Sequence, residues 1–221
     1  RTAVTIGGVT FDVVLADEDA KLNLNQVYHA PGPARTQRAL NNVLGPSAVR
    51  AVRLAPATRP IEHDSPVSSD EEPSDEREIP RAFRSWGEVF DLERLRRIAG
   101  SDTALPNLTG DLTCWGAGSL NIVRASDASI KAAAACVLSD AGAGRLVSRY
   151  REKPNVSLEL LIAQETNSET ERMRLRRMLS TTSTHFSAWV DASTTSRRSS
   201  RVFSVLRMTD DGVTVNERFA Y

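Results

Sequence analysis

The sequence predicts an α+β fold: an antiparallel sheet built from strands at both chain ends, with a helical insertion between them. Three observations predict it. Val4 and Ile6, then Val9, Phe11, Val13 and Leu15, carry strand-like spacing interrupted at Gly7-Gly8. The stretch from Ser85 to Leu179 is largely helical in its periodicity. The last forty residues return to alternation, at His185–Ala192, Arg201–Arg207 and Val213–Phe219, with Asp210-Asp211-Gly212 as a hairpin turn.

The elements follow in order. After the first strands comes Ala16-Asp17-Glu18-Asp19-Ala20-Lys21-Leu22-Asn23-Leu24-Asn25. Asn side chains bond nearby backbone groups and hold turns and helix N-termini. Asn23 and Asn25 are therefore expected to pin a chain reversal while Leu22 and Leu24 enter a core, and Leu24→Ala is expected to cost about 2–5 kcal/mol. Leu120-Asn121-Ile122 echoes the pattern, with Asn121 in the turn role. Of three readings for Asp17-Glu18-Asp19 (catalytic, metal-binding, or a turn with solvated acids) the last is favoured.

Val27–Leu44 reads as helical in its second half, stopping at Gly45-Pro46. Residues 84–99 read as one helix capped by Ser85 and ended at Gly100, with Val89, Leu92, Leu95 and Ile98 as its apolar face. Leu112–Trp115 is a short strand. Ser126 caps a helix with Ile130, Ala133, Ala134 and Val137 inside. Asp140–Gly144 is read as a break. Ala143–Arg151 makes the next helix, then a short apolar segment at Val156–Gln164. Glu165–Leu179 is a charged helix, acidic first and basic last, as the helix dipole favours.

The segment at about 55–81 has another character. Five prolines stand among Ser65, Ser68 and Ser69 and the acids Asp70, Glu71, Glu72, Asp75 and Glu76. Composition makes it a solvated loop. The alternative is a Ca²⁺ site using those five carboxylates, since Ca²⁺ accepts six to eight oxygens from irregular loops.

Composition narrows function. Basic and acidic residues number 28 each, so the net charge is zero and nothing draws the chain to nucleic acid or an anionic membrane. No window reaches the roughly 18–20 apolar residues of a membrane span. The chain opens at Arg1 without a Met, which reads as a fragment whose upstream part would hold a signal or a membrane helix. Cys114 and Cys136 are either two separate small apolar residues or a disulfide in an oxidising compartment. With only three scattered histidines they do not make a metal site. No Gly-x-Ser-x-Gly, phosphate loop or His-Glu-x-x-His is present, so no catalytic residue is assigned.

One stretch, Leu120–Ser126 through Gly142-Ala143-Gly144 to Arg149-Tyr150-Arg151, resembles a helix-hairpin-helix module. It lacks the Pro-Gly pair and carries Asp140 where a phosphate would sit. A nucleic-acid-binding protein is therefore the alternative reading.

The whole order resembles the K-type minor pseudopilin of the type II secretion system. The residues that carry this are Asp17-Glu18-x-x-Lys21-Leu22-Asn23-Leu24-Asn25, Ser85-Trp86-Gly87-Glu88-Val89, Leu108-Thr109-x-x-Leu112-Thr113, Leu120-Asn121-Ile122-x-x-Ala125-Ser126, and a meander opening Ser183-Thr184-His185-Phe186. Val123-Arg124 departs from the Asn-Thr usual there, and the acidic loop at 64–78 has its own length. The resemblance implies a pilin-like sheet from residues 1–25 and 180–221, with 26–179 as an inserted helical domain. It implies a structural protein rather than an enzyme. It places that protein at the tip of a periplasmic pseudopilus with the I-type and J-type minor pseudopilins and other secretion components. An inner-membrane helix would lie upstream of Arg1. Some relatives bind Ca²⁺, but no ligand pattern carries over.

Overall fold

In the computed structural model, residues 1–29, 32–44, 46–57, 81–99, 109–194 and 199–220 are described. The sheet is antiparallel and has five strands in the order β1-β2-β7-β8-β9. Strands β1 (Thr2–Ile6) and β2 (Val9–Asp17) form a hairpin. Its turn is Gly7-Gly8, with φ of 58° and 77°. Two consecutive positive φ values match the right-handed strand twist, and glycine adopts them without a Cβ penalty. The other strands are β7 (His185–Thr194), β8 (Ser199–Thr209) and β9 (Gly212–Ala220). The two chain ends thus build one sheet, as the alternation predicts.

Every described helix lies between β2 and β7. In order these are α1 (Leu24–His29), α2 (Pro33–Val43), α3 (Pro46–Val49), α4 (Trp86–Val89), α5 (Leu92–Ala99), α6 (Asp127–Ala135), α7 (Asp140–Glu152), α8 (Leu158–Glu165) and α9 (Glu169–Met178). Two short parallel ladders tie them together: β3 (Leu22–Asn23) on β4 (Leu112–Thr113), and β5 (Leu120–Asn121) on β6 (Leu179–Ser180). Ser126, Ser139, Ser157 and Ser168 cap α6 to α9, each hydroxyl accepting an N–H from the first turn.

The main core lies among these helices. Leu22, Leu24, Leu120 and Ile122 are all buried in it. Leu24 is fully enclosed, so the 2–5 kcal/mol expected for Leu24→Ala stands. An unchanged melting temperature in that variant would contradict its burial.

Three local expectations are corrected. Residues 84–99 are two helices, because Phe90 bridges to Val52 and the Asp91 carboxylate accepts the N–H of Arg94. That change of direction buries Val89 and Leu95 but leaves Leu92 and Ile98 at the surface. Asp140–Gly144 is the first turn of α7 rather than a break. The charged helix starts at Glu169, behind Ser168, not at Glu165. Gly45 and Gly100 lie outside the described residues.

Candidate interaction surface and its acidic junction

The sheet shows two unlike faces. Cross-strand partners share a face, so the registers assign each side chain. On one face Phe203 and Val205 are buried, and Trp115 packs on Phe203 with ring centroids 4.9 Å apart. Trp86 meets Trp115 edge-on at 5.9 Å, and Trp189 meets Phe203 at 4.7 Å. This aromatic run joins sheet to helices.

The opposite face carries Val4, Ile6, Leu15, Met208, Val213 and Val215, all exposed among the described residues. Val4 and Ile6 of β1 stand across from Phe11 and Val9 of β2. Val13 is followed across the sheet by Val190 and Val202, and Phe186 by Leu206 and Val215. Ile6, Leu15 and Val213 are 65%, 66% and 62% exposed. Along the middle, β7 and β8 carry two small pairs, Ala188 opposite Ser204 and Ala192 opposite Ser200, with the larger Val190–Val202 pair between them. Leu15 and Phe11 of β2 flank the two small pairs on one side, and Arg218 of β9 lies beside Ser204 on the other. A contiguous exposed apolar surface of this kind marks an interaction site.

At the end of β2 the chain leaves the sheet through Asp17-Glu18-Asp19. The Asp19 carboxylate accepts N–H groups from Ala117 (2.8 Å), Thr184 (2.8 Å) and His185 (2.9 Å). Glu18 accepts the Lys21 ammonium at 2.7 Å and the hydroxyls of Thr113 and Ser187, each at 2.5 Å. Asp17 accepts from Ala20 N–H (3.1 Å) and the Ser183 hydroxyl (2.8 Å), with Arg124 at 3.3 Å. Glu18 and Asp19 are 2% and 3% exposed, so the expectation of solvated acids is overturned. All six carboxylate oxygens hold protein donors. Among the described residues no group of His, Cys, Asp or Glu is arranged to hold a metal ion.

Burial taken alone raises the Asp19 pKa. The His185 imidazole and the N–H groups of Ala117, Thr184 and His185 outweigh it and hold the carboxyl below the ordinary aspartate value. The approach of residues 116–118 needs Gly116, whose φ is 105° and where a Cβ would lie 2.8 Å from an Asp19 oxygen.

The asparagines extend this junction. Asn23 Oδ1 accepts the N–H groups of Asn25 and Gln26 and starts α1, while its Nδ2 donates to Trp115 O at 2.8 Å. Asn25 bridges both backbone groups of Phe83, taking its N–H at 2.7 Å and donating to its carbonyl at 3.1 Å; it also donates to Cys114 O at 2.8 Å. Asn121 takes Val123 N–H at 3.0 Å and donates to Ser183 Oγ at 2.7 Å. Asp17, Glu18, Lys21, Asn23, Asn25 and Asn121 thus meet in one connected network. Their partners include Thr113, Ser183 and Thr184, which the resemblance motifs contain without marking them as partners of the acids, and Phe83, Ala117 and Ser187, which nothing local marks.

The remaining candidates are placed as follows. Cys114 and Cys136 are separate buried thiols, so the disulfide is not formed. Burial pushes both thiols up, Cys136 to about 12, which keeps them protonated and unreactive. Asp70, Glu71, Glu72, Asp75 and Glu76 lie outside the described residues. Arg149 and Arg151, the basic residues of the hairpin reading, are engaged by Glu165 (2.9 Å) and Asp127 (2.6 Å). No described helix is long and apolar enough to cross a membrane.

No family model matches the sequence, and no curated protein matches it. Among solved structures, the chain is similar to a chain of the GspK-GspI-GspJ complex from the type 2 secretion system of enterotoxigenic Escherichia coli. The likeness covers 100% of this chain and 82% of that one, with a TM-score of 0.50 and 14% identity. At that identity what is shared is the fold, which in this chain is a mixed α+β architecture with an antiparallel five-stranded sheet.

Proposed function

We propose that this chain is the globular part of a minor pseudopilin of the type II secretion system, of the K type, acting as a structural subunit rather than an enzyme. The observation that carries the reading is the fold likeness over the whole chain. The exposed apolar side chains on one sheet face support it. A helix is convex, and the small pairs Ala188–Ser204 and Ala192–Ser200, beside Leu15 and Phe11 of β2, leave room for its side chains. The occupant is a helix of this protein upstream of Arg1, which also anchors the subunit in the inner membrane with its body in the periplasm.

In this reading residues 26–179 form an inserted helical domain on a pilin-like sheet. A subunit that wide does not stack inside a filament shaft. It caps the tip of the pseudopilus, primes assembly with the I-type and J-type minor pseudopilins, and through them assists export across the outer membrane. The acidic segment with Asp70, Glu71, Glu72, Asp75 and Glu76 is the place to look for Ca²⁺. No observation favours the nucleic-acid alternative.

The test is co-purification of this chain with the soluble parts of I-type and J-type minor pseudopilins from the same genome, with and without a calcium chelator. A stoichiometric ternary complex is expected. Loss of the complex on chelation assigns it a metal. Absence of any association, or copolymerisation along filament shafts, overturns the tip reading.

A further inference from the structure

The two free edges of the sheet are unlike. Proteins guard edge strands with bulges, charges or coverage, since unpaired backbone groups are a template for another strand. Edge strand β9 is guarded. Its register with β8 shifts at Val205/Leu206, and it carries Glu217 and Arg218, with Arg81 paired to Glu217. Among the described residues, edge strand β1 shows none of these devices. Thr2-Ala3-Val4-Thr5-Ile6 holds no charge and no proline, is exposed at every residue, and stays in unbroken register with β2.

A helix seated over β7 and β8 does not reach it. With side chains a helix is about 10–12 Å across. Strands lie about 4.8 Å apart, so β1 is about 12 Å from the line between β7 and β8. Such a helix therefore leaves Val4 and Ile6 exposed.

We propose that β1 is a pairing edge for a second copy of this chain, two β1 strands joining antiparallel about a two-fold axis at Val4. The segment is self-complementary in that register. Val4 faces Val4 of the second copy, Thr2 faces Ile6, and Ala3 faces Thr5. Residues 2, 4 and 6 of both copies then lie on the apolar face, and no like charges meet. The pairing is isologous, closes at two copies, and extends the sheet to ten strands. It does not depend on the pseudopilin reading, whose test is a different association.

Sedimentation of the 221-residue chain at rising concentration tests it. The mass is expected to climb from 24.2 kDa towards twice that value. Val4→Lys and Val4→Glu each place like charges across the axis and are expected to hold the chain at 24.2 kDa. An equimolar mixture of the two variants puts Lys opposite Glu and is expected to restore the pair. Val4 is exposed, so both variants should melt with the wild type; Ile6→Lys, at a position 65% exposed, gives the same loss by a second route. Met208→Lys, on β8 and away from β1, is expected to pair normally. A monomer at every concentration, a mixture that stays monomeric, or equal disruption by Met208→Lys overturns the proposal, the last pointing to face-to-face packing of the apolar sheets.

Discussion

Asp19→Ala is expected to cost about 3–5 kcal/mol of stability, read as a fall in the urea midpoint at neutral pH. The carboxylate serves N–H donors from two distant segments, Ala117 on one side and Thr184 and His185 on the other. Removing it leaves all three donors without that acceptor at a buried site. Asp19→Asn keeps the shape but turns an amide towards some of those donors, so it should lose a large part of the same stability. The pH dependence has a definite sign. The folded pKa lies below the unfolded one, so the native state is favoured by ionisation. The contribution is complete above the unfolded value of about 3.9 and disappears as pH falls through the folded value. The gap between wild type and Asp19→Asn should be level from pH 5 to 8 and shrink below about pH 4. A gap that widens on acidification contradicts the account.

Asn25→Ala is expected to cost about 2–4 kcal/mol. Three buried backbone groups, the Phe83 N–H, the Phe83 carbonyl and the Cys114 carbonyl, lose their partner together. Asn25→Asp is a sharper probe, since it keeps the acceptor for Phe83 N–H but turns the donor into an oxygen facing two carbonyls. Both variants should lower the urea midpoint, and only Asn25→Ala should abolish hydrogen-exchange protection at the Phe83 amide. Unchanged protection in Asn25→Ala means the bridge does not hold that segment.

The sheet was legible because alternation is a local signal: Val9, Phe11, Val13 and Leu15 reach β2 with their spacing intact. The turn roles of Asn23 and Asn121 were legible for the same reason, since their oxygens cap groups two or three residues ahead. The acids were misread because their partners lie in segments 109–117 and 183–187, and no periodicity links those to Asp17-Glu18-Asp19. The two helices at 84–99 merged in the reading because Leu92 and Ile98 fall on the right spacing. What separates them is Phe90, drawn to Val52, a contact that spacing does not report. Asp140–Gly144 continues into α7 because the Ser139 hydroxyl accepts the Gly142 N–H and caps the helix there.

The joining of the first strands to the last has a consequence for how the molecule forms. A chain delivered from its N-terminus makes the β1–β2 hairpin early, and a lone hairpin is marginal in water. Asp17 meets Ser183 only 166 positions later, and Asp19 has just one of its three backbone donors until Thr184 and His185 arrive. Folding therefore closes from the C-terminal end. The last forty residues act as a clasp, and synthesis stalled before them leaves helices beside a bare hairpin, open to proteases and chaperones.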